Sequence, residues 1–345
     1  MVTQIQEIAA RPLPPISTLD PRMKPPTLKD VIVARNVVDR FLDRTPLLHP
    51  ETLSQRLGFD LYLKCENLQP TGAFKVRGGL NFMSQLPAEQ RERGVVTAST
   101  GNHGQSIAYA ARQFDVRAII YVPEGANPMK VDAMRQLGAD VEFHGIDFDQ
   151  SREGALKRAS DDSMVFVHAA NEPALIAGVG TYVLEMLEAV PELDYLFIPG
   201  GGGSGISGAC IVGKTINRDL RVIGVQAVGA PVMYESWKRR ELLTFDRANT
   251  VAEGVATRVA FELPSLTFWD TIDDFRLVSD SEMRRAIVTI LQSTKMLAEH
   301  AGAAGVAAAV QMREELAGKR VGCVISGGNL TNDGLRQAMD EERSW

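Results

Sequence analysis

The chain lacks the features that mark secreted, membrane-spanning and nucleic-acid-binding proteins. No apolar stretch reaches the roughly 18 residues of a membrane span, and the N-terminus lacks the basic-then-apolar layout of a signal peptide. With 37 basic and 43 acidic residues the net charge is −6, which argues against nucleic acid or an anionic membrane as a partner. The few cysteines are widely spaced in or beside apolar runs, which indicates buried free thiols in a reducing compartment rather than disulfides or a zinc site: Cys65, Cys210 and Cys323. These absences predict a cytoplasmic protein.

What is present is the composition of a soluble globular protein, with 45% hydrophobic and 23% charged residues in 345 positions. That length predicts two domains with an ample core. Apolar strands alternate with helical windows, with strands at 94–97, 118–122, 140–143 and 164–167 and helices at 103–114, 128–137 and 150–160. A second series runs from Tyr195 through Arg221 to a last strand at 320–325.

This alternation predicts an α/β fold: two open parallel-sheet domains with helices on both faces, and a ligand in the cleft between them. We expect residues 1–26, which are rich in proline, to form an irregular arm on the surface. Residues 27–93 together with 171–345 would form a large cofactor-binding domain, and residues 94–170 a small domain.

One lysine has unusual surroundings. Residues 61–66 alternate like a strand, 69–72 (QPTG) have turn chemistry, and a helix is predicted from Phe74 to Leu86, before Pro87. Lys75 therefore lies near a helix N-terminus, where the helix dipole disfavours a positive charge. A lysine that is neutral or covalently occupied fits this position better than a solvated surface cation, and a lowered pKa is what a Schiff-base lysine requires.

The second unusual feature is a glycine run. Residues 200–205 read GGGGSG and lie between an apolar strand, 195–198, and a helical stretch, 206–216. Glycine at a strand-to-helix turn lets backbone N–H groups approach an anion closely, which predicts a phosphate site. A flexible linker seldom lies between two apolar elements. A dinucleotide site is disfavoured because the run matches G-x-G-x-x-G poorly and the next strand, 221–226, ends in Gln226 instead of an acidic residue.

An amine that can hold a carbonyl and a backbone cradle that can hold a phosphate together predict pyridoxal 5'-phosphate (PLP) as the cofactor. Two further strand ends carry ligand-binding chemistry, the loop 99–105 (STGNHGQ) and the segment 326–329 (SGGN). The first loop leads into a helix, so its N–H groups and hydroxyls suit a carboxylate, although a simple N-cap has the same composition. Three such loops at equivalent strand ends favour a site.

Taken together, 64–78 (KCENLQPTGAFKVRG), the loop 99–105, the glycine run and 326–329 resemble the threonine/serine dehydratase and serine racemase group of fold-type II PLP enzymes, relatives of the tryptophan synthase β chain. The resemblance spans roughly residues 27–335 in consistent order. It implies a Schiff base between Lys75 and the cofactor, with Lys75 later moving the Cα proton of an amino acid substrate. It also implies a homodimer.

The resemblance implies roles for the other site residues as well. Phe74 would lie beside the cofactor ring, Asn102 would bond its 3-hydroxyl, Ser326 would face the pyridine nitrogen, and Glu299 matches an acidic position near the cofactor. The substrate carboxylate would be held by Ser99, Thr100, Gly101, Asn102 and His103. The phosphate would be bound by the backbone of Gly201, Gly202, Gly203, Ser204 and Gly205.

Ser326 bears on the reaction. A hydroxyl does not force a proton onto the ring nitrogen as a carboxylate does, so the electron sink is weaker and loss of a β-substituent competes well with reprotonation at Cα. We therefore expect β-elimination: an ammonia-lyase (dehydratase) that converts an L-β-hydroxy amino acid, threonine or serine first and bulkier or acidic ones next, to a 2-oxo acid and ammonia. A racemase and a β-replacement synthase on the same scaffold remain the alternatives.

Several positions depart from the group's pattern. Ala73 stands where a serine is frequent, and Thr100 where racemase-like members have a second serine as the base on the opposite face. Gln226 and Val232 replace the carboxylates of a divalent-ion site, leaving only the Ala230 carbonyl, so we expect no metal. The chain ends soon after Asn329, so we expect no regulatory domain and no feedback control by isoleucine.

The remaining polar residues have structural explanations. The histidines at 49, 144 and 168 show no metal-ligand spacing, and the basic stretch 237–240 is typical of an exposed helix. The carboxylates at 147, 149, 161 and 162 indicate a solvated face or helix starts. The triplet 151–153 (SRE) occurs at a comparable place in serine racemase-like chains, where its arginine lies near the substrate. Arg152 is therefore a further candidate for the site.

Overall fold

The computed structural model describes residues 5–18, 20 and 23–341. In this part of the chain the strands are β1 (Glu7–Pro12), β2 (Leu47–Leu48), β3 (Asp60–Cys65), β4 (Val95–Ala98), β5 (Ala118–Val122), β6 (Asp140–Phe143), β7 (Val165–Phe166), β8 (Tyr195–Pro199), β9 (Arg221–Ala227), β10 (Glu241–Phe245), β11 (Asp274–Val278) and β12 (Arg320–Ile325).

The same described residues also contain the helices that connect these strands. They are α1 (Leu28–Val38), α2 (Glu51–Leu57), α3 (Lys75–Ser84), α4 (Ala88–Arg93), α5 (Asn102–Gln113), α6 (Pro128–Gln136), α7 (Phe148–Asp161), α8 (Pro173–Ala189), α9 (Ser204–Ile216), α10 (Val232–Arg239), α11 (Glu262–Phe268), α12 (Asp280–Thr294), α13 (His300–Gln311) and α14 (Asn332–Glu341). None of them, within the described residues, combines the length and hydropathy that a membrane span requires.

The larger sheet has the strand order β11-β9-β8-β12-β3-β2, and every neighbouring pair is parallel except β2 with β3. Side chains along β8 alternate between two cores: Phe197 packs with α12 and α13, whereas Leu196 and Ile198 pack with α8 and α9. Both faces of the sheet are therefore covered by helices, which is why the central strand β8 is apolar along its whole length.

The smaller sheet has the order β6-β5-β4-β7 and is parallel throughout. Val95 and Ile120 face the core built with α5 and α6, whereas Val96 and Ile119 face α7. Two open sheets, parallel except for the edge strand β2, have helices on both faces and confirm the α/β fold class. Leu80 and Met83 of α3 belong to the core of the smaller sheet although they precede residue 94, so the predicted domain boundaries stay a prediction.

The structure differs from the sequence prediction in the N-terminal arm. Glu7–Pro12 is not irregular but forms β1, antiparallel to β10. All six residues of β1 are exposed, and its hydrogen-bond partners lie more than 200 positions away. No local pattern in the sequence therefore predicts the strand. Pro12 ends β1, where a missing N–H costs little. Residues 1–4, 19, 21 and 22 of the predicted arm lie outside the described residues.

Candidate active site

One cavity at the carboxyl ends of the strands is lined by every residue that the sequence singled out for the cofactor or the substrate carboxylate. They come from the start of α3, the turn after β4, the turn after β8, the N-cap of α13 and the end of β12. The residues brought together are Phe74, Lys75, Ser99, Thr100, Gly101, Asn102, His103, Gly201, Gly202, Gly203, Ser204, Gly205, Glu299 and Ser326. Their individual roles remain predictions.

Lys75 is the first residue of α3, with Phe74 as the N-cap, and its side chain is partly buried. Its Nζ donates to Ser204 Oγ at 3.1 Å and lies 5.4 Å from the centre of the Phe74 ring. Burial lowers the pKa of Lys75 to about 8, because the protein interior disfavours the charged form. A substantial fraction of this amine is therefore neutral, and able to act as a nucleophile, near physiological pH.

Four fully buried charged side chains form a cluster next to the first turn of α3, where Lys75 lies. Arg77 lies two residues after Lys75 in α3. Its guanidinium donates to Glu66 Oε2 at 2.7 Å and to Glu185 Oε1 at 2.6 Å. Lys64 completes the set with Nζ 2.5 Å from Glu185 Oε2. These side chains are 0–3% exposed, so the two positive and two negative charges compensate one another where water does not reach. The cluster ties β3 and α8 to the first turn of α3.

The glycine run forms the turn between β8 and α9 and faces Lys75. Gly203 has φ +93°, a left-handed conformation that favours glycine, and a Cβ there would lie 2.6 Å from Pro264 Cβ. At Gly201 a Cβ would lie 2.1 Å from the Gly254 carbonyl oxygen. These positions exclude side chains, and α9 begins at Ser204, so the turn presents bare backbone at a helix N-terminus.

The turn after β4 is arranged around Ser99. Its Oγ accepts hydrogen bonds from the N–H groups of Gly101 (3.2 Å) and Gly104 (2.9 Å), which leaves the hydroxyl hydrogen to donate to a ligand. Thr100, the next residue, is partly buried and also lines the cavity. The donors that this turn offers to a ligand are therefore the Ser99 hydroxyl and the N–H groups of the first turn of α5 that do not bond Ser99.

His103 is held in one tautomer. Thr97 donates its hydroxyl hydrogen to the Val167 carbonyl at 2.8 Å, so the 3.1 Å contact between Thr97 Oγ1 and His103 Nε2 needs a hydrogen on Nε2. Burial, with the nearby charge of Lys75, lowers the pKa of His103 to about 3. His103 is therefore neutral at working pH and presents Nδ1 as an acceptor.

Asn102 and Glu299 join the two sheets across the cavity. Asn102 Nδ2 donates to Glu299 Oε1 at 2.7 Å, and Asn102 Oδ1 accepts from Asn329 Nδ2 at 2.8 Å. This pair of bonds fixes the amide orientation and leaves one hydrogen of Nδ2 for a ligand oxygen. Burial raises the pKa of Glu299, while the hydrogen bond from Asn102 and the charge of Lys130 act in the opposite direction.

Ser326 follows β12 and is 6% exposed. Its carbonyl accepts from the Phe74 N–H at 3.0 Å, which ties the end of β12 to the start of α3. No hydrogen bond from its hydroxyl to another described residue is present, so the group is available inside the cavity. Ala73 and Gly327 form an isolated antiparallel bridge beside it.

Among the lining residues that the sequence did not single out, two are charged and one is aromatic: Lys130, Glu253 and Phe148. Lys130 lies in the first turn of α6 and forms an ion pair with Glu253, which belongs to a 3₁₀ turn at Glu253–Val255. A lysine near the start of a polar helix is normally a surface cation, and nothing in its neighbours distinguishes it. Its place in the cavity follows from how α6 lies over the cleft.

Two other sequence candidates have different contacts. Arg152 does not line the cavity; its Nη2 lies 3.9 Å from Asp149 Oδ1. Gln226 is fully buried and uses its amide on the backbone, donating to the Gly200 carbonyl at 3.1 Å and accepting from the N–H groups of Met233 and Tyr234 at 2.9 and 3.0 Å. No group of three or more His, Cys, Asp or Glu side chains among the described residues could hold a metal ion.

Known proteins are similar over most of the chain. A family model for pyridoxal-phosphate dependent enzymes matches residues 38–327. An L-threonine ammonia-lyase of Thermotoga maritima is 40% identical over 304 residues, 88% of this chain and 76% of that protein. An L-threo-3-hydroxyaspartate ammonia-lyase of Saccharomyces cerevisiae is 33% identical over 305 residues, 88% of this chain and 94% of that protein. A solved serine racemase of Dictyostelium discoideum superposes with a TM-score of 0.84 at 33% identity, covering 89% of this chain and 100% of that one.

The chain belongs to the pyridoxal-phosphate dependent enzyme family, within the fold-type II class that the two sheets define. The predicted cofactor is thus confirmed at the level of the family. The cavity fits it: the Lys75 amine has a lowered pKa, and the turn it faces has no room for a side chain at Gly201 or Gly203. Lys75 and the oligoglycine turn are the groups that would hold the aldehyde and the phosphate.

Proposed function

We propose that the protein is a PLP-dependent ammonia-lyase that converts an L-β-hydroxy amino acid, threonine or serine first, to a 2-oxo acid and ammonia. The observation that carries this proposal is the 3.1 Å contact between Lys75 Nζ and Ser204 Oγ, which puts the amine against the oligoglycine turn. The similarity to proteins named as threonine and hydroxyaspartate ammonia-lyases supports it.

Each group in the cavity has a part in this reaction. When bound, PLP supplies the electron sink that acidifies the substrate Cα proton. Lys75 takes that proton and, because its pKa lies near 8, also returns one at working pH. The Ser99 hydroxyl and the backbone N–H groups of the first turn of α5, that of His103 included, orient the substrate carboxylate. Loss of the β-hydroxyl as water leaves an enamine that hydrolyses to the 2-oxo acid and ammonia, with no net oxidation.

Elimination is favoured over racemisation by the groups available for proton transfer. Racemisation needs an acid on the face of Cα opposite the lysine, and Thr100, which stands where relatives of the racemase type carry a second serine, has an alcohol oxygen crowded by a methyl group. Ser326 is the residue that would face the pyridine nitrogen of bound PLP, and a hydroxyl there would leave that nitrogen neutral, which would weaken the electron sink and favour departure of the β-substituent.

A substrate panel tests the proposal. The holoenzyme and a Lys75→Ala variant are incubated with L-threonine, L-serine, L-threo-3-hydroxyaspartate and O-acetylserine plus sulfide, and 2-oxo acid, ammonia and D-amino acid are measured. We expect equal amounts of 2-oxo acid and ammonia from threonine or serine, and none with the variant. D-serine formed without ammonia would instead assign a racemase, and consumption of O-acetylserine in preference to threonine would assign a synthase.

The cellular setting and assembly are part of the same proposal. We propose a cytoplasmic homodimer that acts on a free amino acid and binds neither nucleic acid nor membranes. The three cysteines are buried and unbridged, which suits a reducing compartment. Burial raises the pKa of Cys65 to about 12, so its thiol stays protonated. Analytical ultracentrifugation of the holoenzyme would test the dimer.

A further inference from the structure

The cavity contains few charges that a substrate side chain could meet. Among its lining residues the ionisable side chains are Lys75, His103, Lys130, Glu253 and Glu299. His103 is neutral, with its pKa lowered to about 3. Once Lys75 is joined to the cofactor, Lys130 is the one cation left for a substrate group within this set of lining residues.

Lys130 is already paired. It approaches the cavity from the side of the smaller sheet, on α6, whereas Glu253 approaches from the larger one, in the 3₁₀ turn that packs on α13. The Lys130 side chain is 12% exposed and that of Glu253 is 56% exposed, so the lysine lies inside and the carboxylate at the mouth. The charges of both residues act on the Glu299 carboxyl, which places the pair within electrostatic reach of the reacting centre.

We propose that Glu253 serves as an internal carboxylate that occupies Lys130, and that this pair makes the site select neutral β-hydroxy amino acids over those with a side-chain carboxylate. The inference rests on the proposed function, because it concerns the side chain of the amino acid that the ammonia-lyase accepts. It makes Lys130 and Glu253 specificity-determining residues.

The selection follows from charge and geometry. A neutral side chain enters the cavity and leaves the Lys130–Glu253 pair intact. A second substrate carboxylate must displace Glu253 from the single available cation, and it then faces Glu253 as a like charge in a partly desolvated space. Arg152 and Arg258 do not compensate this carboxylate, because both pair with Asp149 and neither lines the cavity.

L-Asparagine and L-aspartate are suitable probes, since they have nearly the same shape, differ in side-chain charge and lack a β-hydroxyl. Their dissociation constants would be measured by calorimetry on the holoenzyme for the wild type, Glu253→Gln, Lys130→Met and the double variant. Glu192→Gln is the matched control, because Glu192 is 76% exposed and pairs with Arg320 away from the cavity.

We expect the wild type to bind asparagine at least about tenfold more tightly than aspartate, and Glu253→Gln to reduce that ratio about tenfold by freeing Lys130. Adding Lys130→Met to Glu253→Gln should remove the improvement in aspartate binding, and Glu192→Gln should leave the ratio of the two dissociation constants unchanged. The inference is overturned if both amino acids bind but the ratio is the same in the wild type and Glu253→Gln, or if the double variant keeps the gain. If neither amino acid binds a wild-type holoenzyme that does form 2-oxo acid and ammonia from threonine or serine, the inference is overturned while the proposed function stands.

Discussion

Asn102 and Glu299, 197 positions apart in the chain, are joined by a hydrogen bond of 2.7 Å from Nδ2 to Oε1. The bond connects the first residue of α5, beside the smaller sheet, with the N-cap of α13, beside the larger one. Asn329 Nδ2 donates to the Asn102 amide oxygen, Oδ1, at 2.8 Å. The amide that would bond the cofactor is therefore oriented by partners from the opposite side of the cleft.

Removing Glu299 tests this orientation. We expect Glu299→Ala to raise the PLP dissociation constant up to about tenfold, because Asn102 loses the acceptor that orients its amide and one hydrogen bond contributes about 0.5–1.5 kcal/mol. Glu299→Gln keeps an oxygen that can accept, so its effect should stay below about threefold. Equilibrium dialysis of the apo variants against PLP measures both. Equal losses in the two variants would contradict the role of the acceptor.

The oligoglycine turn predicts a second contrast. In Gly201→Ala the new Cβ would lie 2.1 Å from a backbone oxygen, so the turn must shift, and we expect PLP affinity to fall more than about tenfold. Gly125→Ala is the control, since a Cβ there meets nothing within 4 Å and its φ is not positive. PLP retained at wild-type affinity in Gly201→Ala would show that the phosphate binds elsewhere.

The lowered pKa of Lys75 predicts the pH dependence of cofactor capture. Below pH 8 the amine is mostly protonated and unreactive, and above pH 8 it is mostly neutral. The rate constant for PLP binding to the apoenzyme should therefore rise about tenfold per unit below pH 8 and level off above it. For a lysine of ordinary pKa, the rate constant would keep rising up to about pH 10.4. Stopped-flow absorbance follows the reaction, and a rate still climbing beyond pH 9 would contradict the lowered pKa.

The buried charge cluster predicts a stability difference between two identical substitutions. Lys64→Met leaves Glu185 with fewer positive partners in a region that water does not reach, and we expect a loss of about 3–5 kcal/mol in the free energy of unfolding. Lys157→Met removes an ion pair whose partners are 77% and 54% exposed, and should cost less than about 1 kcal/mol. Urea denaturation compares them, and similar losses would show that the cluster contributes nothing beyond a surface pair.

The sequence predicted the parts of the fold whose signals are local. β5, β6 and β12 have the predicted bounds, because each is a short run of strand formers between turn or helix signals. β10 and β11 were not predicted: β11 is an edge strand with a mixed burial pattern, and β10 pairs with the distant β1. The predicted helix from Phe74 to Leu86 is shorter at both ends, running from Lys75 to Ser84.

The predicted site residues lie in one cavity because parallel strands bring their carboxyl ends to one edge, so motifs at those ends meet in space. Lys130 and Glu253 meet only because α6 and the 3₁₀ turn face each other across the cleft, a relationship that no local spacing records. Likewise, the complete burial of Arg77 depends on Glu66 and Glu185, which come from different elements.

The most direct test of the account is the site of covalent attachment of the cofactor. The holoenzyme is reduced with borohydride, digested and examined by mass spectrometry for a reduced phosphopyridoxyl group. The cavity offers two lysines, Lys75 and Lys130. We predict one modification per chain, on Lys75, and none in Lys75→Ala. Modification of Lys130 in the wild-type protein, or of no lysine after saturation with PLP, would contradict the account.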